Sequence, residues 1–229
     1  MRKEPEPVRW WTWPHYIFVA SFLFPTTFRL AGGWRVVGRE YVPRHGGALI
    51  AANHTSFLDP PLVGAAVPRR TYYFAKRELF EIPVFGWLLR KCYAFPVDRE
   101  GDDKTAFRHA IALLQAGELL VVFPEGGRSP DGTLQEGGRG AALIAARAGV
   151  PIIPCALSGT DQVLPREARF LHRGFTQASF APPISTREEG RANKAGLQEI
   201  TGRVMAEIAR MREEQQEYLA QRRRRPGQG

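Results

Sequence analysis

From residue 34 onward, short apolar runs alternate with longer stretches in which apolar residues recur every three or four positions. "RVVG" (35–38), "GALIAA" (47–52), "TYYFA" (71–75), "YAFPV" (93–97), "ELLVVFPEG" (118–126), "VPIIPCAL" (150–157) and "TQASFAPPI" (176–184) read as strands. Between them, the 102–117 stretch predicts a helix: it has acidic residues in its first turn, apolar residues at Ala106, Phe107, Ala110, Leu113 and Leu114, and Gly117 as the residue past its end. The 138–149 stretch repeats that pattern, "FGWLLRK" is a shorter amphipathic segment, and a helix is expected to start at Asp59, with prolines tolerated in its first turn. Over 193–218, Leu197, Ile200, Val204, Ile208 and Met211 form one long stripe. Strands alternating with helices predict an α/β fold: a central mixed sheet flanked by helices, ending in a long C-terminal amphipathic helix.

The first 33 residues have another texture. "RWWTWPHYIFVASFLFPTTFRL" (9–30) is almost wholly apolar between Tyr16 and Phe24, is interrupted by Pro25 and closes at Arg29. A spanning helix needs about 20 apolar residues. This run is shorter, and Trp10, Trp11 and Trp13 suit the headgroup level of a bilayer. The expectation is a membrane-interfacial helix; a true span and a helix docked on the core are the alternatives. Three segments follow: a membrane-associating segment at 1–33, an α/β core at 34–190, and a helix with a polybasic tail at 191–229.

Composition sharpens this picture in two ways. The 229-residue chain has a net charge of +9, part of it in "QRRRR" (221–225), which points to nucleic acid, anionic lipid or a phosphorylated substrate. Two cysteines, Cys92 and Cys155, are too few for a disulfide framework, lack metal-ligand spacing and fit a reducing environment.

The candidate chemistry starts in "IAANHTSFLDPPL" (50–62). On a continuous helix, His54 and Asp59 would lie roughly 140° apart. They meet only if "HTSFLD" is a turn that leaves a strand and folds Asp59 back. The carboxylate then fixes one imidazole tautomer, and the other nitrogen is a general base. The competing reading is a core histidine capped by Asn53 beside an N-capping aspartate. In "VVFPEGGRSPDG" (121–132), Gly126 and Gly127 let backbone N–H groups approach an anion, and Arg128 offers a forked donor. Lys76 and Arg99 also follow apolar strands. Ligands of open α/β sheets bind at such strand ends, so three cations beside a His–Asp pair point to a phosphate-bearing substrate held for base catalysis.

Four blocks in order carry a resemblance. "NHTSFLD" resembles the H-x4-D motif of glycerolipid acyltransferases, "AFPVDR" their second block, "FPEGGRS" the third and "VPIIPCAL" the fourth. Length and the apolar N-terminus are similar to the bacterial 1-acylglycerol-3-phosphate acyltransferases. The resemblance implies that His54 deprotonates the free hydroxyl of lysophosphatidic acid, that Asp59 orients it, and that the oxygen attacks the thioester of acyl-CoA or acyl-carrier protein, giving phosphatidic acid. It implies that Lys76, Arg99 and Arg128 bind the phosphate, that Glu125, Gly126 and Gly127 shape the acceptor site, and that Pro151 and Pro154 support the acyl-donor side. No cofactor, metal or nucleic acid is expected, and the expected location is the cytoplasmic face of the cell membrane. Gly127 stands where the family usually has Thr, and Tyr93 where the second block commonly begins with Gly. Both departures bear on the acceptor, and another lysolipid such as lyso-ornithine lipid is the alternative. Rival classes are a nucleic-acid binder, a metal-dependent phosphoesterase and a non-enzymatic lipid-binding protein.

Overall fold

The computed structural model describes residues 19–67, 69–98, 103–186 and 193–224. Seven strands form one sheet: β1 (Trp34–Val37), β2 (Ala48–Ala52), β3 (Thr71–Lys76), β4 (Ala94–Val97), β5 (Leu119–Val122), β6 (Ile152–Ser158) and β7 (Thr176–Phe180). Their spatial order is β1-β7-β6-β2-β5-β3-β4. The five strands from β6 to β4 are parallel, β7 runs antiparallel to β6, and β1 is parallel to β7. The sheet is therefore mixed, as the strand pattern predicts.

Strand β2 occupies the centre, and all five of its residues are fully buried. That explains its unbroken apolar sequence, because parallel strands covered on both faces cannot alternate with polar residues. Successive side chains still point to opposite faces. Leu49, Ala51, Leu120 and Ile152 pack toward helices α4 (Lys104–Gln115), α5 (Gly140–Ala148) and α7 (Lys194–Arg224). Ala48, Ile50, Leu119, Val121 and Ile153 pack toward α1 (Phe24–Ala31) and α2 (Asp59–Ala66). Helix α7 is about 46 Å long. Its stripe Leu197, Ile200, Val204 and Ile208 lies on the first face, and Met211 continues onto Ala156 and Ala181.

Helix ends follow local rules. Asp103 caps α4 by accepting the Ala106 N–H at 2.9 Å. At the other end Gly117, with φ +87°, donates to Leu114, and Glu118 donates to Leu113.

The structure gives three sequence features a definite place. Pro25 does not interrupt the N-terminal helix: a π-helical turn, Val19–Leu23, leads into α1, with Pro25 in its first turn, where the missing N–H costs nothing. Phe28 and Ala31 of α1 are buried on the core while Phe22, Leu23 and Leu30 face outward, so this segment is docked along one side. Asp59 is the first residue of α2 but not its cap; the cap position is Leu58, and the Asp59 carboxylate turns back toward residues 54–56. Pro151 lies at the start of β6, where its carbonyl accepts from Leu49, at the sheet edge opposite the end of β2. Trp10, Trp11, Trp13 and Arg99 lie outside the described residues. Among the described residues no helix is long and apolar enough to cross a membrane.

The chain leaves β2 for α2 on one face and β5 for α5 on the other. Adjacent strands diverging this way open a crevice at their carboxyl ends.

Candidate active site

Asn53 closes β2. Its side chain donates to the Leu157 carbonyl at 3.0 Å and accepts from the Leu157 N–H at 2.7 Å, imitating one more backbone pair with β6. The next residue, His54, therefore leaves the sheet from a fixed point. Its Nδ1–H donates to Asp59 Oδ2 at 2.8 Å. The same oxygen accepts from the backbone N–H of Thr55 at 2.6 Å and of Ser56 at 2.8 Å. Asp59 Oδ1 accepts the Thr160 hydroxyl at 2.5 Å. Asp59 is 0% exposed, yet its charge is met by four donors, the condition for keeping a carboxylate out of water. Beneath it lies Cys155, whose thiol is pushed well up by burial and by the Asp59 charge.

The carboxylate can only accept, so Nδ1 carries the proton and Nε2 is left as the basic nitrogen. The imidazole stacks on Phe123, with ring centres 4.0 Å apart and planes 19° from parallel. Its side chain keeps 11% of its surface exposed, so the ring is clamped by Asp59 and Phe123 but reachable. This arrangement holds the imidazole in one orientation and one tautomer, with Nε2 left unprotonated.

The β5 loop locks onto the same segment. Phe123 to Gly126 is a turn through Pro124, closed by Gly126 N–H to Phe123 O at 3.0 Å, and Gly126 takes φ +72°, where glycine is favoured. Glu125 Oε1 accepts the His54 backbone N–H at 2.6 Å, and Oε2 accepts the Gln135 N–H at 2.9 Å. Burial pushes the Glu125 carboxyl above its ordinary value, opposed by these two bonds. The Ser129 N–H returns to the His54 carbonyl at 2.8 Å. Glu125 thus staples the two loops together; it shapes the site by holding His54's backbone.

The cations are built differently. The Arg128 guanidinium lies 3.7 Å from the centre of the Phe57 ring, which is itself half-exposed. Lys76 ends β3; from the Tyr73–Val121 register it stands level with Pro124, and two strand spacings from β2 amount to about 10 Å. Its ammonium pairs with Glu78 at 2.9 Å, and the side chain is 43% exposed. Of the residues expected at the site, the structure brings together His54, Asp59, Glu125, Gly126, Gly127 and Arg128, with Lys76 at the periphery. Pro154 is buried inside β6, paired in register with Ala51, and its carbonyl accepts from Ala181 where the β7 ladder has ended.

Thr160 and Phe123 were not anticipated. Thr160 is 101 positions from Asp59. Its only sequence signal is its place just after β6, at the same strand edge as the other site residues. Among the described residues no group of three or more His, Cys, Asp or Glu side chains is placed to hold a metal ion.

Comparisons with known proteins bear on the fold and the family. The Acyltransferase family profile matches residues 33–158, from before β1 to the end of β6. A 1-acyl-sn-glycerol-3-phosphate acyltransferase of Bacillus subtilis is 35% identical over 145 residues, 63% of this chain and 71% of that protein. One from Streptococcus pneumoniae is 30% identical over 172 residues, covering 74% of this chain and 62% of its own length. The crystal structure of the 1-acyl-sn-glycerophosphate acyltransferase PlsC from Thermotoga maritima superimposes with a TM-score of 0.69 at 28% identity, over 83% of this chain and 76% of that one. A matched core spanning the whole parallel half of the sheet, together with relatives of the 1-acyl-sn-glycerol-3-phosphate type, establishes that this chain belongs to the acyltransferase family.

Proposed function

We propose that this protein transfers a fatty acyl group from acyl-CoA or acyl-carrier protein to the free hydroxyl of lysophosphatidic acid, with His54 as general base. The observation that carries the reading is the Asp59–His54 pair, which leaves Nε2 as a proton acceptor on a side chain that keeps 11% of its surface exposed. His54 Nε2 takes the hydroxyl proton as the oxygen attacks the thioester carbonyl. Asp59 stabilises the imidazolium that forms. The tetrahedral intermediate collapses, the C–S bond breaks, and the departing thiolate recovers the proton from His54. No acyl-enzyme is needed. A positioned base of this kind contributes about 10²–10⁴-fold, and holding hydroxyl against thioester supplies much of the rest.

Arg128 is the first candidate for the acceptor's phosphate, because a guanidinium offers paired N–H donors to its oxygens. Lys76 would add a more distant point charge, and Arg99 is proposed as a third cation. The N-terminal segment, with its outward Phe22, Leu23 and Leu30, would hold the enzyme on a cytoplasmic membrane surface where the lysolipid acceptor and its product reside.

The direct test is product identification. Purified protein is incubated with radiolabelled acyl-CoA or acyl-carrier protein and a panel of lysolipids, including lyso-ornithine lipid. Phosphatidic acid is the expected product, and transfer only to a phosphate-free acceptor would overturn the assignment of the substrate.

A further inference from the structure

Two surface elements flank the His54 loop and turn apolar side chains outward. The first is helix α3 (Pro83–Lys91). Its inner side is fixed by Gly86, which is buried against the backbone of Phe80, leaving no room for a side chain. On the opposite side Val84, Trp87 and Leu88 follow one another at helical spacing and are 80%, 59% and 38% exposed; Ile82, just before the helix, is 51% exposed. A surface helix ordinarily buries such a stripe. Arg90 and Lys91 end the helix, with the Lys91 ammonium 5.8 Å from the centre of the Trp87 ring.

The second element is the 165–174 loop that follows α6 (Thr160–Val163). Phe170 and Leu171 stand out from its tip, the former 80% exposed. Exposed Arg166, Arg169 and Arg173 surround them, with Glu167 as the neighbouring acid. The loop is pinned at its base by His172 N–H to Val163 O and Gly174 N–H to Ala31 O, each 2.7 Å. The second bond ties it to the end of α1, beside the exposed Leu30.

Both elements connect to the crevice. Phe85 of α3 meets the Phe57 ring edge-on at 6.4 Å, and Phe57 carries Arg128. The Ser56 hydroxyl donates to the Leu164 carbonyl at the root of the loop.

We propose that helix α3 and the 165–174 loop form a bilayer-docking surface, additional to the N-terminal segment, that seats the His54 crevice on a membrane containing anionic lipid. The charge pattern selects this occupant. Apolar tips are rimmed by Arg90, Lys91, Arg166, Arg169 and Arg173, while Glu78 is paired with Lys76, leaving Glu81 and Glu167 as the acids alongside. A tryptophan with a lysine at its edge is the pairing that places a ring at headgroup level and an ammonium at the phosphates. The proposal rests on the lysolipid reading only for its purpose, since the docking itself needs no turnover.

The test uses the full chain with an environment-sensitive fluorophore on Val84→Cys or Phe170→Cys, and on Glu199→Cys of α7 as a control. Cys155 is buried, and burial raises the Cys92 thiol to about 11, so near neutral pH the label goes to the introduced cysteine. On phosphatidylcholine vesicles with phosphatidylglycerol added, the labels at 84 and 170 should brighten and shift to the blue, and the label at 199 should not. Trp87→Glu combined with Phe170→Glu should weaken vesicle binding by at least about tenfold, because two apolar anchors are lost. The same double variant should keep its rate on a short-chain, water-soluble acceptor. Absence of vesicle binding, or labels at 84 and 170 that stay in water on bound protein, overturns the proposal and leaves the acyl-transfer reading intact. A blue shift that grows with protein concentration without vesicles assigns the face to self-association and also overturns it. Failure of acyl transfer to any lysolipid overturns the enzymatic reading alone.

Discussion

The turn at 53–59 and the cations at Lys76 and Arg128 occupy the same edge of one sheet and are built in opposite ways. In the turn, Asp59 is fully buried and holds four donors, Asn53 is paired twice with Leu157, and the imidazole is clamped between a carboxylate and Phe123. The cations instead lie at the rim. Lys76 is nearly half-exposed with a solvated partner, and Arg128 leans on an aromatic ring that is itself half-exposed. The difference fits the roles proposed for each. A base must present one nitrogen in one direction, so its supports are dry and rigid. A phosphate grip must admit and release a charged headgroup, so its charges stay hydrated and adjustable. On this view, damage to the turn should appear in kcat, and damage to the cations in KM.

The sharpest way to break that division is at the base. His54→Ala should lower kcat by about 10³-fold with vesicle binding unchanged; initial rates beside a flotation assay decide it, and full residual activity would refute the assignment. Thr160→Val removes the donor to Asp59 Oδ1, and with it the 3.3 Å contact to the Thr55 hydroxyl, while keeping the shape. It should cost about 1–3 kcal/mol in a urea titration and lower kcat about tenfold, and Thr160→Ser should restore both. If Thr160→Val changes KM and spares kcat, the turn and the rim are not separate devices.

At the rim, Arg128→Ala should raise the KM for lysophosphatidic acid about tenfold and Lys76→Ala less, with kcat little affected. Rising salt should raise the wild-type KM in parallel, because exposed charges are screened. Unchanged KM in both variants would remove the phosphate from the proposal.

The smallest effect belongs to Glu125, which joins the two regions. Its folded carboxyl lies above its ordinary value of 4.5 because of burial. The folded state therefore binds this proton more readily than the unfolded chain. The associated stability is fully present below the ordinary value and is lost as pH rises through the folded one. Glu125→Gln abolishes that titration and also leaves one backbone N–H without an acceptor. The difference in Tm between wild type and variant should narrow as pH rises from about 4.5, and a widening gap would contradict the sign.

Much of the molecule is legible in its sequence where the physics is local. The start and stop of α4 follow from Asp103 and Gly117, and the central strands from unbroken apolar runs. His54 and Asp59 could be matched because a helix forbids their contact and a turn permits it. Other features resisted the same reading. Pro25 suggested a break, but a widened turn ahead of it accommodates the ring. Pro151 belongs to a site-like block of sequence yet opens its strand at the far edge of the sheet. Glu125 sits in a turn that looked poised for ligand and instead spends both oxygens on backbone N–H groups.

The order of residues alone determined the alternation of strands and helices, the helix ends and the separation of His54 from Asp59, because each depends on neighbours within a few positions. Only the tertiary structure decided that β5 and β6 would flank β2. That arrangement brings Phe123 under the imidazole and Thr160 onto the carboxylate, from 69 and 106 positions beyond His54. Such partners are chosen by the packing of whole layers, and no local pattern records which strands will be adjacent.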